Sequence, residues 1–102
     1  MKTTTLNSLK EHPVGRTIVN ALSNLDNGNY ALVPGPKGKT KVLKLTSSHG
    51  TDFYKYFCTV NLSFEGIQKS KLLENYPVEL NASPEGSDSQ EYANDALIFC
   101  VA

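Results

Sequence analysis

The sequence predicts a small α+β domain: an N-terminal helix packed on a mainly antiparallel sheet of about four or five strands. Three observations predict it. Apolar residues recur at helical spacing between residues 13 and 25, they alternate at strand spacing between residues 54 and 64, and the chain closes on the apolar run Ala96–Ala102. At 102 residues the chain is one domain. A domain of that size buries roughly 60–65% of the surface its unfolded chain exposes. That allows one core and favours a site on the surface over a deep cleft.

The expected order of elements follows from local chemistry. Residues 1–7 are expected to be a loose lead-in. Ser8 and Glu11 have capping-box spacing, but Pro13 would clash within the first full turn of a helix begun at Leu9. A short turn over 8–12 and a helix starting at Pro13 fit better, because proline suits the first helical position. Val14, Ile18, Leu22 and Leu25 form the apolar stripe, widened by Val19 and Ala21. Asp26-Asn27-Gly28-Asn29 ends the helix, with Asn27 or Gly28 able to take the left-handed closing position.

The remaining residues, 30–102, are expected to be rich in sheet. Tyr30–Val33 and Thr40–Thr46 read as two strands of a hairpin joined through Pro34-Gly35-Pro36-Lys37-Gly38-Lys39. Residues 46–51 read as a polar loop. From Tyr54 to Phe64 the even-numbered residues Tyr54, Tyr56, Cys58, Val60, Leu62 and Phe64 are expected to face the core together. After a break at Glu65-Gly66, a short helix over 67–75 is favoured over a strand. Pro77–Leu80 reads as an edge strand, residues 82–90 as a surface loop, and Ala96–Val101 as a buried strand.

Composition excludes some classes of function. The hydrophobic fraction of 39% and charged fraction of 20% argue against disorder. No run approaches the roughly 18 apolar residues of a membrane span. The first eight residues lack the apolar stretch of a secretory signal, so a cytoplasmic location is expected. Cys58 and Cys100 match no metal spacing and are expected as buried free thiols, with a cross-strand disulfide as the alternative. No metal or cofactor is expected.

Net charge is zero but unevenly spread. Through residue 55 there are eight basic and three acidic residues, a balance of +5; from residue 56 there are two basic and seven acidic, a balance of −5. If the halves separate in space, such a surface suits steered association with a charged partner.

The expected function is non-enzymatic binding of a macromolecule, with a protein partner favoured: a small accessory, adaptor or inhibitor protein. The alternative is a single-stranded DNA- or RNA-binding protein using the basic hairpin 34–44. In that reading Lys37, Lys39, Lys41 and Lys44 meet phosphates, and Phe53 and Phe57 stack on bases. Gly38-Lys39-Thr40 looks like the end of a phosphate-binding loop, but the earlier glycines are misplaced and no helix follows, which rules out nucleotide hydrolysis. The acids Glu85, Asp88, Glu91 and Asp95 fit no calcium loop and are candidates for contact with a basic partner. A minor alternative is a small hydrolase in which His12 or His49 activates a cysteine or serine.

Overall fold

The computed structural model describes residues 3–4, 6–22, 26–81 and 90–101. The elements run β1 (Thr3–Thr4), α1 (Leu6–Glu11), α2 (Pro13–Ala21), β2 (Gly28–Pro34), β3 (Thr40–Ser48), β4 (Thr51–Val60), α3 (Phe64–Lys69), β5 (Glu74–Asn81) and β6 (Gln90–Val101). This is the expected α+β domain with a largely antiparallel sheet. Among the described residues there are six strands, in the order β1-β6-β2-β3-β4-β5, and β1–β6 and β4–β5 are parallel.

The N-terminal helix starts where the sequence places it. Pro13 occupies the first turn and His12 is its N-cap, Nδ1 accepting from the Val14 N–H at 3.1 Å. Ile18 and Leu22 are buried, with Val14 and Val19 packed beside them. The helix ends sooner than the apolar spacing suggests, at Ala21, where the Leu22 N–H bonds the Ile18 carbonyl. Leu25 lies outside the described residues.

The expected loose lead-in is replaced by β1 and α1. Pro13 prevents one continuous helix but leaves Leu6–Glu11 free to form their own, and Leu9, 2% exposed, anchors them to the core. The two helices meet closely at Gly15. A Cβ built there would lie 1.9 Å from the Leu9 carbonyl oxygen.

The sheet has an apolar cluster on each face. On the helix face lie Tyr30, Leu32, Val42, Val60, Leu97, Phe99 and Val101, with Leu9, Ile18, Leu22, Phe64 and Ile67 from the helices. On the other face lie Ala31, Val33, Leu43, Ala96 and Ile98, with Tyr54 packed against them. Central strands covered on both sides explain why Tyr30–Val33 and Ala96–Phe99 are continuous apolar runs rather than alternating ones.

The second cluster takes all its members from strands. β5 pairs with β6 at Tyr76↔Ala96 and with β4 at Tyr54↔Leu80, so it joins the two sides of the β6-β2-β3-β4 sheet. β5 stays beside β6 along its length, from Glu74↔Ile98 to Asn81↔Gln90, while its Leu80 also meets Tyr54 of β4, so the β6-β2-β3-β4 sheet closes on itself through β5. Pro77 is therefore not the first residue of an edge strand. It sits at a register shift between Tyr76 and Val78, where its missing N–H costs no ladder bond. The closure also brings β5, from the acidic half of the chain, beside β4.

Two other expectations are corrected. Residues 46–51 are not a flexible loop: β3 and β4 pair out to Ser48↔Thr51 around the two-residue turn His49-Gly50, with φ of 52° and 79°. Positive φ at both positions matches the right-handed twist of a hairpin. Glu65-Gly66 is not a break but the first turn of α3, capped by Ser63, whose Oγ accepts from the Gly66 N–H at 3.2 Å. The helix is thus three residues earlier than expected, and residues 74 onward are strand. No helix of the described residues is long and apolar enough to cross a membrane.

Candidate functional site

The β3–β4 hairpin carries most of the residues singled out from sequence, and its register decides which of them share a face. Pairing runs Thr40↔Val60, Lys41↔Thr59 and Val42↔Cys58, then shifts to Leu43↔Tyr56, Lys44↔Lys55, Leu45↔Tyr54 and Thr46↔Phe53. Phe57 is the extra residue of a β-bulge. A bulge resets alternation, so the even-numbered residues of β4 do not all point one way. Cys58 and Val60 face the helices, whereas Tyr54 and Tyr56 face the opposite side. The expected common core parity of residues 54–64 fails for this reason, and Tyr56, expected inside, is 55% exposed.

The bulge places Phe53, Lys55 and Phe57 on the same face as Cys58 and Val60. That face passes from helix-covered core at Val60 to open surface at Lys55. Phe57, 42% exposed, stands at the margin with its ring against Tyr30 (centroids 6.1 Å apart, interplanar 66°). Tyr30 is held from three sides. It stacks on Phe99 at 5.4 Å, its hydroxyl donates to the Asp26 carbonyl at 2.9 Å, and the Lys44 ammonium sits 5.6 Å from its ring centroid. Lys44 and Lys55 are direct cross-strand neighbours. Phe53 is half-buried beside them and Lys55 is exposed. Asp52 pairs with Ser47 and so points to the other face. Among the described residues the one salt bridge is Lys69–Glu65, exposed on α3, so neither Lys44 nor Lys55 is neutralised by a carboxylate there.

The other lysines of the expected basic patch lie elsewhere. Lys37 and Lys39 are exposed in the tight turn around Pro36–Gly38, where the Gly35 N–H donates to the Lys39 carbonyl at 2.8 Å. Five residues of extended chain, about 17 Å, separate Lys39 from Lys44. Lys41 faces away from Lys44, next to Thr59, whose hydroxyl is hydrogen-bonded to that of Tyr56 at 2.9 Å. The expected patch thus divides between the two faces. Lys55 is the contributor that sequence reasoning misses, since it enters there only through the charge balance; Tyr56, which unbroken alternation puts in the core, is exposed on the opposite face.

The proposed catalytic pairs are not assembled around Cys58. His12 uses Nδ1 to cap α2, and His49 turns the hairpin, with seven extended residues, about 23 Å, from Thr51 to Cys58. The two cysteines are free and half-buried rather than fully buried. Burial raises the Cys58 thiol above its ordinary value. They lie on opposite faces of the sheet, which excludes the cross-strand disulfide. Cys100 faces the side of Tyr54, whose phenol pKa is raised by burial and then by the charge of Cys100. Directly across from Cys100, Asn29 has its side-chain oxygen buried without a hydrogen-bond partner among the described residues. No cluster of three or more His, Cys, Asp or Glu occurs among the described residues. Of the acidic candidates, Glu85 and Asp88 lie outside the described residues. Glu91 and Asp95 belong to β6, with Glu91 paired to Leu80.

Comparison with protein-family models, with curated proteins and with solved structures found no match.

Proposed function

We propose that the protein is a non-enzymatic binding module for an anionic macromolecule, and that Lys44, Phe53, Lys55 and Phe57 form its contact surface. The observation that carries this reading is the direct opposition of Lys44 and Lys55 on one open face. Like charges across neighbouring strands repel, at a cost of about 0.2–1 kcal/mol. An anion placed between them turns that repulsion into attraction on both sides. Lys44 is half-buried over Tyr30, so part of the ordering of one cation is already done before a partner arrives.

The test is retention on a polyanionic resin at low ionic strength. Wild type should bind and elute at moderate salt, and the K44Q/K55Q double variant should pass through while K37Q/K39Q is retained. Wild type that fails to bind at low salt, or a double variant retained like wild type, would refute the reading. A second reading, an accessory or adaptor role toward a protein partner, is favoured by Tyr56 and Phe57. They are the exposed large apolar residues among those described, and they are adjacent in the chain. A protein interface wants an apolar centre with a charged rim. Since the two side chains lie on different faces, it predicts that one of Tyr56→Ser and Phe57→Ser abolishes partner binding and the other leaves it unchanged.

A further inference from the structure

We infer that the anionic partner is a single-stranded nucleic acid, with bases stacked on Phe57 and Phe53 and phosphates met by Lys44 and Lys55; this inference rests on the anion-binding reading above. The reason is the interleaving of rings and charges on one strand face. Along β4 the order is Phe53, Lys55, Phe57, each about 6.6 Å from the next, with Lys44 alongside the middle position. A single strand offers that alternation from its own side: flat bases free to stack, and a phosphate between each pair. A duplex offers the charge but keeps its base faces inside the helix. An acidic polypeptide would use the lysines and gain nothing particular from the rings.

The platform is also built in advance. Phe57 is not a loose exposed side chain. It leans edge-on against Tyr30, which is itself stacked on Phe99 and fixed through its hydroxyl. A ring held this way loses little freedom when a base settles on it. The bulge gives this arrangement its position, because Phe57 and Cys58 both face the helix side, which puts the ring where core ends and open surface begins.

The experiment is fluorescence anisotropy at low salt with three probes: labelled oligothymidine, a duplex of the same length, and polyglutamate. Oligothymidine should bind at least tenfold more tightly than either of the others. Phe57→Leu, which keeps apolar bulk against Tyr30 but removes the ring, should weaken oligothymidine binding about tenfold. Phe57→Tyr should retain it, and Lys55→Gln, at an exposed position, should weaken it and reduce the salt slope by about one unit. Circular dichroism on each variant separates loss of binding from loss of fold. Equal binding of single strand and duplex, or an unaffected Phe57→Leu, would overturn the inference while leaving the anion-binding reading intact. Preference for polyglutamate would overturn it in favour of an acidic protein. Failure of all three probes to bind would overturn both.

Discussion

Gly15→Ala should destabilise the fold, although alanine is the better helix former. In an isolated helix the exchange gains about 1 kcal/mol. Here the added Cβ would lie 1.9 Å from the Leu9 carbonyl oxygen, 2.9 Å from its carbon, and 3.3 Å from Leu72 Cδ2. An unstrained carbon–oxygen contact is about 3.3 Å or more. The first overlap is therefore about 1.4 Å, against backbone that cannot swing aside as a side chain can. Relief requires α1 to move bodily away from α2, which pulls Leu9 out of the core. Overpacking of this kind costs about 3 kcal/mol. After the helix gain, a net loss of about 2 kcal/mol remains, equivalent to a fall in Tm of roughly 8–16 °C for a domain of this size. Thermal and urea unfolding followed by circular dichroism would measure it. Asn20→Ala is the control, on an exposed position of the same helix. It should be neutral or slightly stabilising. A Gly15→Ala protein as stable as wild type would mean that α1 does not lie against α2 at this residue, and the placement of Leu9 would fall with it.

Three further outcomes follow from buried polar and ionisable groups. Thr40 is fully buried, and its hydroxyl donates to the Leu62 carbonyl at 2.9 Å, tying the start of β3 to the turn before α3. Thr40→Val keeps the shape but orphans that carbonyl, so the urea midpoint should fall by the equivalent of about 1–2 kcal/mol with an unchanged m-value; an unchanged midpoint would show the bond to be dispensable. Cys58 and Tyr54 both titrate higher in the folded chain than their ordinary values of 9.0 and 10.0. The unfolded chain then gives up these protons first. Stability from both groups is complete below pH 9 and declines as pH rises through the folded values. Cys58→Ser should remove the earlier part of that decline in unfolding measured as a function of pH. In the same way, alkylation of Cys58 by iodoacetamide should lag behind that of a free thiol at neutral pH and catch up only in more alkaline solution.

The bulge, more than any other feature, separates what was legible in the sequence from what was not. Before it, local rules suffice. Pro13 must begin a helix, and residues spaced like Val14, Ile18 and Leu22 must lie along one side of it. Tyr30–Val33 and Thr40 onward must be strands, because a proline- and glycine-rich turn stands between two apolar segments. The sequence also marks the lysines and phenylalanines of the hairpin as candidates for contact. Their grouping was not readable. Whether Tyr56 or Cys58 faces the helices depends on the one-residue slip between Val42↔Cys58 and Leu43↔Tyr56. That slip is a property of two strands in contact, and neither strand's own pattern records it.

The same distinction holds across the molecule. The sequence by itself determined the types of α2, β2, β3, β4 and the end of β6, since these answer to backbone sterics and to apolar spacing within a few residues. It also determined that one helix face and the central strands would be buried. Tertiary structure alone decided that Gly15 is a contact point rather than a weak spot in a helix, because the atom it admits belongs to Leu9. Only the fold, likewise, closed the sheet by pairing β5 with both β6 and β4, and set Lys44 against Lys55 while turning Lys41 away. Each of these depends on which strand lies beside which and in what register, and pairing energy is shared between partners far apart in the chain.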